Sequence, residues 1–370
     1  MGDFERARIA YEAAIARDTE HVRAWSSLIS LSKQSEHDNH LVELAALFDR
    51  HKNDSDARLH IGHAIAKSYE DLGDYPASFA WLGKAKKLKR EEIEFDRDTE
   101  LALFTGARSS MPAIPQRNTS PASPIFILGL PRTGTTLVDR IISSHRSVCS
   151  AGELNTFAGL IKKATKTPSN LVLDEETILA ASHTDLAAIG REYITATARL
   201  ARGASHFTDK MPLNFFYAGL IHRALPNARI IALRRGSMDS CLSNYRQLFS
   251  TGYSYYNYTF DLEDTAAYFQ SFDSLMRHWR EILPPSRFME VSYEDIVYKQ
   301  EEQTKRLLNF CDLEWDDACM RFHENAAPVS TASSVQVRQP LYSGSIGRWK
   351  KYGSALGPLK SALGDLATSN

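Results

Sequence analysis

The chain has 370 residues, of which 43% are hydrophobic and 24% are charged, so it can bury a sizeable core as one large or two moderate globular domains. Its 44 lysines and arginines nearly balance its 45 aspartates and glutamates, which gives a net charge of −1. That balance argues against a protein that binds nucleic acid or an anionic membrane through a global positive field.

The cysteines and the N-terminal residues bear on the cell compartment. No two cysteines form a C-x-x-C pair, so we interpret all four as reduced thiols rather than as zinc ligands or disulfides. They are Cys149, Cys241, Cys311 and Cys319. No apolar run approaches membrane-spanning length, and the N-terminal stretch MGDFERARIA lacks the hydrophobic core of a signal peptide. We therefore expect a cytoplasmic protein without a membrane span.

Residues 1–104 show only helical patterns. They are rich in Ala, Leu, Glu, Lys and Arg, their apolar residues recur at helical spacing, and no segment alternates as a strand does. Between His60 and Arg90, small and large residues fall at the offsets of a tetratricopeptide repeat, which packs two antiparallel helices. These residues are Ile65, Ala66, Tyr69, Gly73, Tyr75, Leu82 and Ala85. We therefore predict helical repeats whose aromatic residues pack between helices and whose concave face is open to a peptide or protein partner.

The same resemblance predicts that the chain begins inside a repeat. Residues 2–18 fit the second helix of one repeat, and Trp25 and Leu28 open the next at a period of about 34 residues. Because stacked repeats normally end in a capping helix, we expect further repeats upstream of Met1.

A proline-rich segment separates this region from the rest of the chain. The sequence TGARSSMPAIPQRNTSPASP contains four prolines and several serines, which break any periodic pattern. We predict a linker over residues 105–122 and a second domain over residues 123–370. There, the strand-like segments PIFILGL, ARIIALR and RFMEVSY alternate with helical stretches, which predicts an α/β domain with a mostly parallel sheet. Such a sheet binds ligands at the carboxyl ends of its strands.

The first of these strands leads into a candidate phosphate-binding loop. The sequence PIFILGLPRTGTTLVDRIISSH reads as strand, glycine turn and helix, which points backbone N–H groups at an anion. The Walker A pattern has a lysine where this chain has Thr135, and a cation stands earlier, at Arg132. An arginine fork with threonine donors suits one 5′-phosphate that carries a further anionic group. The candidate contacts are Arg132, Thr133, Gly134, Thr135 and Thr136, although the isolated pattern is also compatible with a purely structural turn.

Two motifs carry a resemblance to a known family. PRTGTTL resembles the 5′-phosphosulfate loop of sulfotransferases that use 3′-phosphoadenosine 5′-phosphosulfate (PAPS), and ARIIALRRGSMDSCLSNYRQLF resembles their 3′-phosphate motif. The resemblance implies that an arginine at the strand end and Ser243 hold the 3′-phosphate. Spacing to Ser243 favours Arg235 over Arg234. Many relatives have Asp-Pro after this arginine, whereas this chain has Gly-Ser, and the two arginines alone could equally solvate a strand end.

Two further segments fit the same resemblance. FMEVSYEDIV resembles the strand and turn whose tyrosine approaches the adenine, which makes Tyr293 a candidate, although a buried core tyrosine would look the same. Near the C-terminus, VRQPLYSGSIGRWKKY resembles the mobile segment that closes over the 3′-phosphate and the adenine. Its cations, Arg348 among them, suit a lid that keeps water away from an activated sulfate.

Three residues are candidates for the chemistry, because sulfuryl transfer needs a base, in-line steering and a stabilised leaving phosphate. CSAGELNTF resembles the Gly-Glu segment of protein-tyrosine sulfotransferases, which implies Glu153 as the general base. FTDKMPLNFFYAGLIH resembles the family segment whose lysine reaches the bridging oxygen, which implies Lys210, with Arg132 sharing that role. Taken alone, Glu153 could be an ordinary helix N-terminal residue and Lys210 a solvated surface residue.

The segments together extend from about residue 123 to about residue 352. The chain thus resembles a bacterial-type tetratricopeptide-repeat sulfotransferase related to the protein-tyrosine enzymes. This implies a P-loop-like α/β sulfotransferase domain, preceded by all-α repeats, that moves a sulfuryl group from PAPS to an acceptor hydroxyl without a metal. A protein tyrosine, a carbohydrate and a small metabolite are all open as acceptors, and we expect no nucleic-acid partner. The alternatives are a P-loop kinase, whose loop lysine is missing here, and a repeat scaffold without turnover.

Overall fold

The fold consists of helices and one parallel sheet, seen in a computed structural model that describes residues 4–110, 123–201, 204, 206–325, 327 and 336–368. The helices are α1 (Phe4–Arg17), α2 (Val22–Leu31), α3 (Leu41–Arg50), α4 (Ser55–Asp71), α5 (Tyr75–Glu92), α6 (Arg97–Ser109), α7 (Thr135–Ser143), α8 (Thr156–Thr165), α9 (Glu175–Ala181), α10 (Leu186–Thr197), α11 (Ala218–Ala224), α12 (Ser237–Arg246), α13 (Leu262–Ile282), α14 (Tyr293–Tyr298), α15 (Gln300–Phe310) and α16 (Gly357–Leu363). The strands are β1 (Ile125–Gly129), β2 (Val148–Ser150), β3 (His206–Asp209), β4 (Arg229–Arg234) and β5 (Phe288–Ser292). Short 3-10 helices cover Pro212–Tyr217, Ser254–Phe260, Asp317–Glu324, Gln336–Arg338, Arg348–Leu356 and Gly364–Thr368.

The chain divides into two compact units. The first unit comprises residues 1–97, 241–268 and 347–369, and the second comprises residues 98–240 and 269–346. The first unit therefore contains the N-terminal helices together with two segments from the region predicted as the second domain.

The predicted linker at residues 105–122 overlaps a helix. Residues 105–109 complete α6, because the helical pattern continues through buried Phe104, Gly106 and Ala107. The rest of that prediction, residues 111–122, lies outside the described residues.

The N-terminal part of the first unit is helical, as predicted. Helices α1 to α4 pack around a common core that includes Trp25, Leu28, Ile29, Leu44, Leu47, Phe48, Ile61 and Ile65. Helices α4 and α5 approach closely, since a Cβ added at Gly62 would lie 2.5 Å from the Cβ of Ala85. Asp54 and Asp74 begin these two helices, and each carboxylate accepts a hydrogen bond at 2.9 Å from the backbone N–H three residues later. Small residues at the contact and capped starts thus produce the helix pair.

The second unit is built on a five-stranded parallel sheet of order β2-β3-β1-β4-β5. The central strands β1 and β4 are almost fully buried, and Ile125 pairs with Arg229 in their register. Such continuous apolar runs are typical of parallel strands covered on both faces. The predicted α/β class with a parallel sheet is therefore confirmed, and the three predicted strands correspond to β1, β4 and β5.

Within the described part of the chain, no helix combines the length and the apolar character needed to cross a bilayer. All four cysteines are free thiols, and burial raises the pKa of the Cys311 and Cys319 thiols to about 12. The thiols are consistent with the predicted reduced state.

Candidate active site

Each strand of the sheet ends beside a candidate residue. β1 leads into the loop at residues 130–134, β2 ends three residues before Glu153, β3 ends directly before Lys210, β4 ends directly before Arg235, and β5 ends directly before Tyr293. Because all five strands are parallel, their carboxyl ends lie along one edge of the sheet, where open α/β folds bind ligands. The structure therefore brings the loop and these four residues to the same edge.

The loop between β1 and α7 depends on two glycines. Gly129 and Gly134 both have positive φ, at 145° and 101°. A Cβ at Gly129 would lie 2.7 Å from the Leu233 carbonyl oxygen, and one at Gly134 would lie 2.6 Å from Cδ2 of Tyr293. Only glycine fits such positions without strain. Arg132, which is not a glycine, also has a positive φ of 68°, and its guanidinium donates a hydrogen bond to Gln336 at 3.1 Å.

The threonines of the loop have two kinds of environment: one stabilises the turn and two begin helix α7. Thr133 donates its hydroxyl to the Leu130 carbonyl at 2.7 Å, so this hydroxyl holds the turn together. Thr135 and Thr136 form the first turn of α7 and are buried. Backbone N–H groups in the first turn of a helix lack partners within the helix, so this end of α7 suits an anion.

Arg235 lies against the loop, whereas Arg234 does not. The Arg235 guanidinium donates to the Arg132 carbonyl at 2.9 Å and to the Ser345 carbonyl at 2.6 Å, and its Nε has no hydrogen-bond partner among the described residues. Arg234 forms ion pairs with Asp273 and Glu290 instead. Arg235 therefore contacts the loop, whereas Arg234 is paired with acids elsewhere, and the role of Arg235 at a 3′-phosphate stays a prediction.

Tyr293 packs between the loop and Arg235. The Arg235 guanidinium carbon lies 4.8 Å from the centre of its ring, and the ring closely approaches Gly134. Its hydroxyl is 2.6 Å from the Ser345 hydroxyl, and burial raises the pKa of Tyr293, so the phenol stays protonated. Ser345 was not among the predicted contacts, although it lies in the segment VRQPLYSGSIGRWKKY.

Glu153 and Lys210 form an ion pair. Lys210 is only 1% exposed, and its ammonium donates a hydrogen bond to the Glu153 carboxylate, whose side chain is 38% exposed. The backbone holds them together as well, because the Lys210 N–H donates to the Gly152 carbonyl at 2.8 Å and Gly152 turns the chain with a φ of 77°. The interpretation of Lys210 as a solvated surface residue is therefore wrong.

Two buried acids next to this pair were not found from the sequence. Asp209 accepts a hydrogen bond from the Tyr193 hydroxyl at 2.8 Å, and burial raises the pKa of its carboxyl to about 7. Asp139 on α7 accepts hydrogen bonds from Ser150 and Thr208. Burial raises the pKa of Asp139, while the Lys210 charge acts in the opposite direction. The signal available in the sequence was an acid within the apolar stretch of α7.

Ser243 and Arg348, the other two predicted contacts, lie in the first unit. Ser243 is in α12, and Arg348 begins a 3-10 helix. The Arg348 guanidinium pairs with Glu70 at 3.3 Å, and the same carboxylate accepts hydrogen bonds from Arg246 and from the Tyr352 hydroxyl. The roles of Ser243 and Arg348 at a 3′-phosphate stay predictions.

No cluster of three or more His, Cys, Asp or Glu side chains that could hold a metal occurs in the part of the chain that the structure describes.

Known proteins are similar to this chain over half of its length or more. Residues 124–317 match the family described as Sulfotransferase family. An uncharacterized protein of Aquifex aeolicus is 33% identical over 318 residues, which cover 83% of this chain and 41% of that protein. A protein-tyrosine sulfotransferase of Drosophila melanogaster is 25% identical over 66% of this chain and 50% of its own length. The chain therefore spans about half the length of these curated relatives or less.

Two solved structures align with about two thirds of this chain. The sulfotransferase domain of a Synechococcus olefin synthase aligns with 65% of this chain and 90% of its own, at 18% identity and a TM-score of 0.46. The sulfotransferase domain of the curacin biosynthetic pathway aligns with 65% of this chain and 97% of its own, at 16% identity and a TM-score of 0.43.

Proposed function

This chain belongs to the sulfotransferase family, and from that premise we propose that it transfers a sulfuryl group from PAPS to an acceptor hydroxyl. The observation that carries the proposal is the common sheet edge, where an anion-binding loop, an arginine and a glutamate–lysine ion pair all follow parallel strands. A nucleotide at that edge would meet groups for its phosphates and groups for the transfer step.

The loop suits the 5′-phosphosulfate better than a triphosphate. It has no lysine at the position of Thr135, so the charge that neutralises β- and γ-phosphates in nucleoside triphosphatases is missing. Arg132, Thr135, Thr136 and the first turn of α7 offer a guanidinium and neutral donors for a smaller anion.

Arg235 and Tyr293 are the residues that we propose for the 3′-phosphate and the adenine. Arg235, whose Nε has no hydrogen-bond partner among the described residues, is the 3′-phosphate contact that we propose, and the Tyr293 ring beside it is the contact that we propose for the adenine. Ser243 and Arg348 are the further 3′-phosphate contacts that we propose from the sequence.

Glu153 and Lys210 have different proposed roles in the transfer step. Glu153 accepts the proton of the acceptor hydroxyl, and it is accessible because its side chain is partly exposed. The acceptor oxygen forms its bond to sulfur as the bond from sulfur to the bridging oxygen breaks, which leaves a sulfate ester and 3′,5′-adenosine bisphosphate. Lys210, with Arg132, stabilises the charge that develops on the bridging oxygen.

The acceptor that we propose is a protein tyrosine, presented by tetratricopeptide-type repeats in the first unit. Its support is the similarity to relatives that are named protein-tyrosine sulfotransferases and the close pairing of α4 with α5 through Gly62 and Ala85.

Calorimetric titration with 3′,5′-adenosine bisphosphate, beside ATP with magnesium, tests the donor assignment. We expect the bisphosphate to bind at least about tenfold more tightly than ATP, because the proposal gives each phosphate of the bisphosphate its own set of contacts. The variant Arg235→Gln should weaken bisphosphate binding by about 10- to 100-fold, the value of a hydrogen bond to a charged group, and should affect 5′-AMP little.

The exposed Arg191 on α10 provides the control, since Arg191→Gln removes the same charge from the same unit and should leave both affinities unchanged. Tighter binding of ATP would indicate a kinase instead, and binding of neither nucleotide would indicate a scaffold without turnover.

A further inference from the structure

Asp139 is a buried acid on the helix that starts from the phosphate loop. It lies one turn after Thr135 in α7 and is 6% exposed, between Val138, which is fully buried, and Arg140, which is 2% exposed. The proposed chemistry assigns Asp139 no task, so the presence of this buried acid in α7 needs another explanation.

The carboxylate of Asp139 accepts hydrogen bonds from β2 and β3, the two strands that precede Glu153 and Lys210. The Ser150 hydroxyl lies 3.1 Å from one carboxylate oxygen and 3.0 Å from the other, and Thr208 donates its hydroxyl to Oδ1. Ser150 is the last residue of β2 and Thr208 is its register partner in β3. One side chain thus joins α7 to two adjacent strands.

Short backbone connections continue from these hydroxyls to Glu153 and Lys210. The Ser150 hydroxyl oxygen accepts from the Gly152 N–H at 3.3 Å, and the Gly152 carbonyl accepts from the Lys210 N–H at 2.8 Å. Glu153 follows Gly152 directly. A displacement of Asp139 would therefore move the turn that holds both members of the ion pair.

Stability of the fold alone gives no reason for a charged group here. Burial raises the pKa of Asp139, which reflects the unfavourable transfer of its charge from water, and apolar replacements of buried ionic groups are often neutral or stabilising. The hydroxyls of Thr208 and Ser150 and the nearby charges of Lys210 and Arg140 offset part of that cost in the native geometry. A group retained at such a cost is better explained by a geometric requirement.

We propose that Asp139 is a positioning residue which, through Ser150 and Thr208, fixes the Glu153–Lys210 pair relative to the phosphate loop. The inference rests on the proposed function. In-line transfer depends on the placement of the base and the lysine to within about 1 Å of the loop-bound donor, and misplacement on that scale costs about 100-fold in rate.

The test separates donor binding from transfer. We expect Asp139→Ala to lower the rate of sulfuryl release from PAPS, measured with labelled sulfate in the presence and absence of a tyrosine peptide, by about 100-fold. Its affinity for 3′,5′-adenosine bisphosphate, measured by calorimetry, should stay within about threefold, because the loop itself is intact. Asp139→Asn keeps one carbonyl acceptor and should retain at least about a tenth of the rate.

Two further variants keep the test decisive if Asp139→Ala folds poorly. Ser150→Ala and Thr208→Val remove the hydrogen-bond donors and leave Asp139 in place. Combining Ser150→Ala with Asp139→Asn should lower the rate by less than the two single reductions multiplied together. Asp264→Asn is the matched control, since Asp264 is equally buried and is paired with Arg90 and Arg97 in the other unit. It should lower thermal stability and leave the rate unchanged.

The possible failures are distinguishable. A wild-type chain that binds no bisphosphate contradicts the proposed function and the inference with it. A wild-type chain that binds and reacts, together with an Asp139→Ala variant that reacts equally fast, overturns the inference alone. Equal losses of affinity and rate in Asp139→Ala would also overturn it, because they would show a merely structural role.

Discussion

In the part of the chain that the structure describes, each unit contains a lysine that is at most 2% exposed, and these two lysines differ in their surroundings. Lys86 in α5 is 2% exposed, donates to the Thr259 carbonyl at 2.9 Å, and has the rings of Tyr245 and Phe260 at 5.0 and 5.1 Å. Burial lowers the pKa of Lys86 to about 7. Lys210 in the second unit is equally buried but is paired with the carboxylate of Glu153.

The difference shows that burial of a lysine does not identify a catalytic group. Lys86 interacts with a neutral carbonyl and two rings, and these contacts join α5 to α12 and to the 3-10 helix Ser254–Phe260. The partner of Lys210 is partly exposed and follows a strand at the ligand-binding edge of the sheet, so a substrate could reach it. The position of the partner, rather than the burial of the lysine, is therefore the basis on which we propose a chemical role for Lys210 and a packing role for Lys86.

The largest expected effect comes from replacing the two lysines by methionine, which keeps most of the side-chain volume. Lys210→Met should lower the rate of sulfuryl transfer from PAPS by at least about 100- to 1,000-fold, the usual cost of losing a group that stabilises transition-state charge. Lys86→Met should leave the rate within about twofold. Rates measured with labelled PAPS at saturating concentration check this, and equal losses in both variants would remove the distinction between the lysines.

The sequence was informative about the fold where apolar runs are long. β1, β4 and β5 are five or six residues long and mostly buried, and they were predicted, whereas β2 and β3, with three and four residues, include Ser150, Thr208 and Asp209 and gave no strand signal. The two short strands have too little hydrophobic content to be recognised alone, and pairing defines them, since β3 pairs with β1 and β2 pairs with β3. The assignment of residues 241–268 and 347–369 to the first unit depends on long-range contacts that no local pattern records.

The candidate site residues were predicted where short segments resemble those of a known family. Glu153, Lys210 and Tyr293 were identified by such resemblance and Arg235 by its spacing to Ser243, and the four residues follow strands that end at one sheet edge. The burial of Lys210 was not predictable, because a polar turn such as TDKMP normally faces solvent. Asp139 was missed because its hydroxyl partners lie 11 and 69 residues away along the chain.

The pH dependence of the unfolding free energy tests the lowered pKa of Lys86. The pKa of Lys86 is about 7 in the folded protein and about 10.4 in the unfolded chain, so between these values the unfolded state binds more protons. Stability should therefore rise with pH in this window, by up to about 1.4 kcal/mol per pH unit from this group. Urea denaturation at pH 7.5, 8.5 and 9.5 (roughly the middle of the window) should show this increase in the wild type.

The Lys86→Met variant is the reference for that slope. This variant lacks the titrating amine and therefore the rise in stability that Lys86 causes. The unfolding free energy of the wild type, measured relative to that of the variant, should therefore increase as pH rises. A difference that stays constant with pH would mean that Lys86 keeps its proton in the folded state.

The smallest expected effect tests why Lys86 tolerates its site. Phe260→Leu keeps an apolar side chain but removes the ring face beside the ammonium, an interaction worth about 0.5–2 kcal/mol when the cation is desolvated. Because this attraction needs the charged form, the loss of unfolding free energy at about pH 6 should exceed the loss at about pH 9 by about 1 kcal/mol. In the Lys86→Met background the same substitution should cost an equal amount at both pH values, since no cation remains. Persistence of the pH-dependent difference in that background would assign it to another titrating group and leave the carbonyl of Thr259 as the partner that holds the buried lysine.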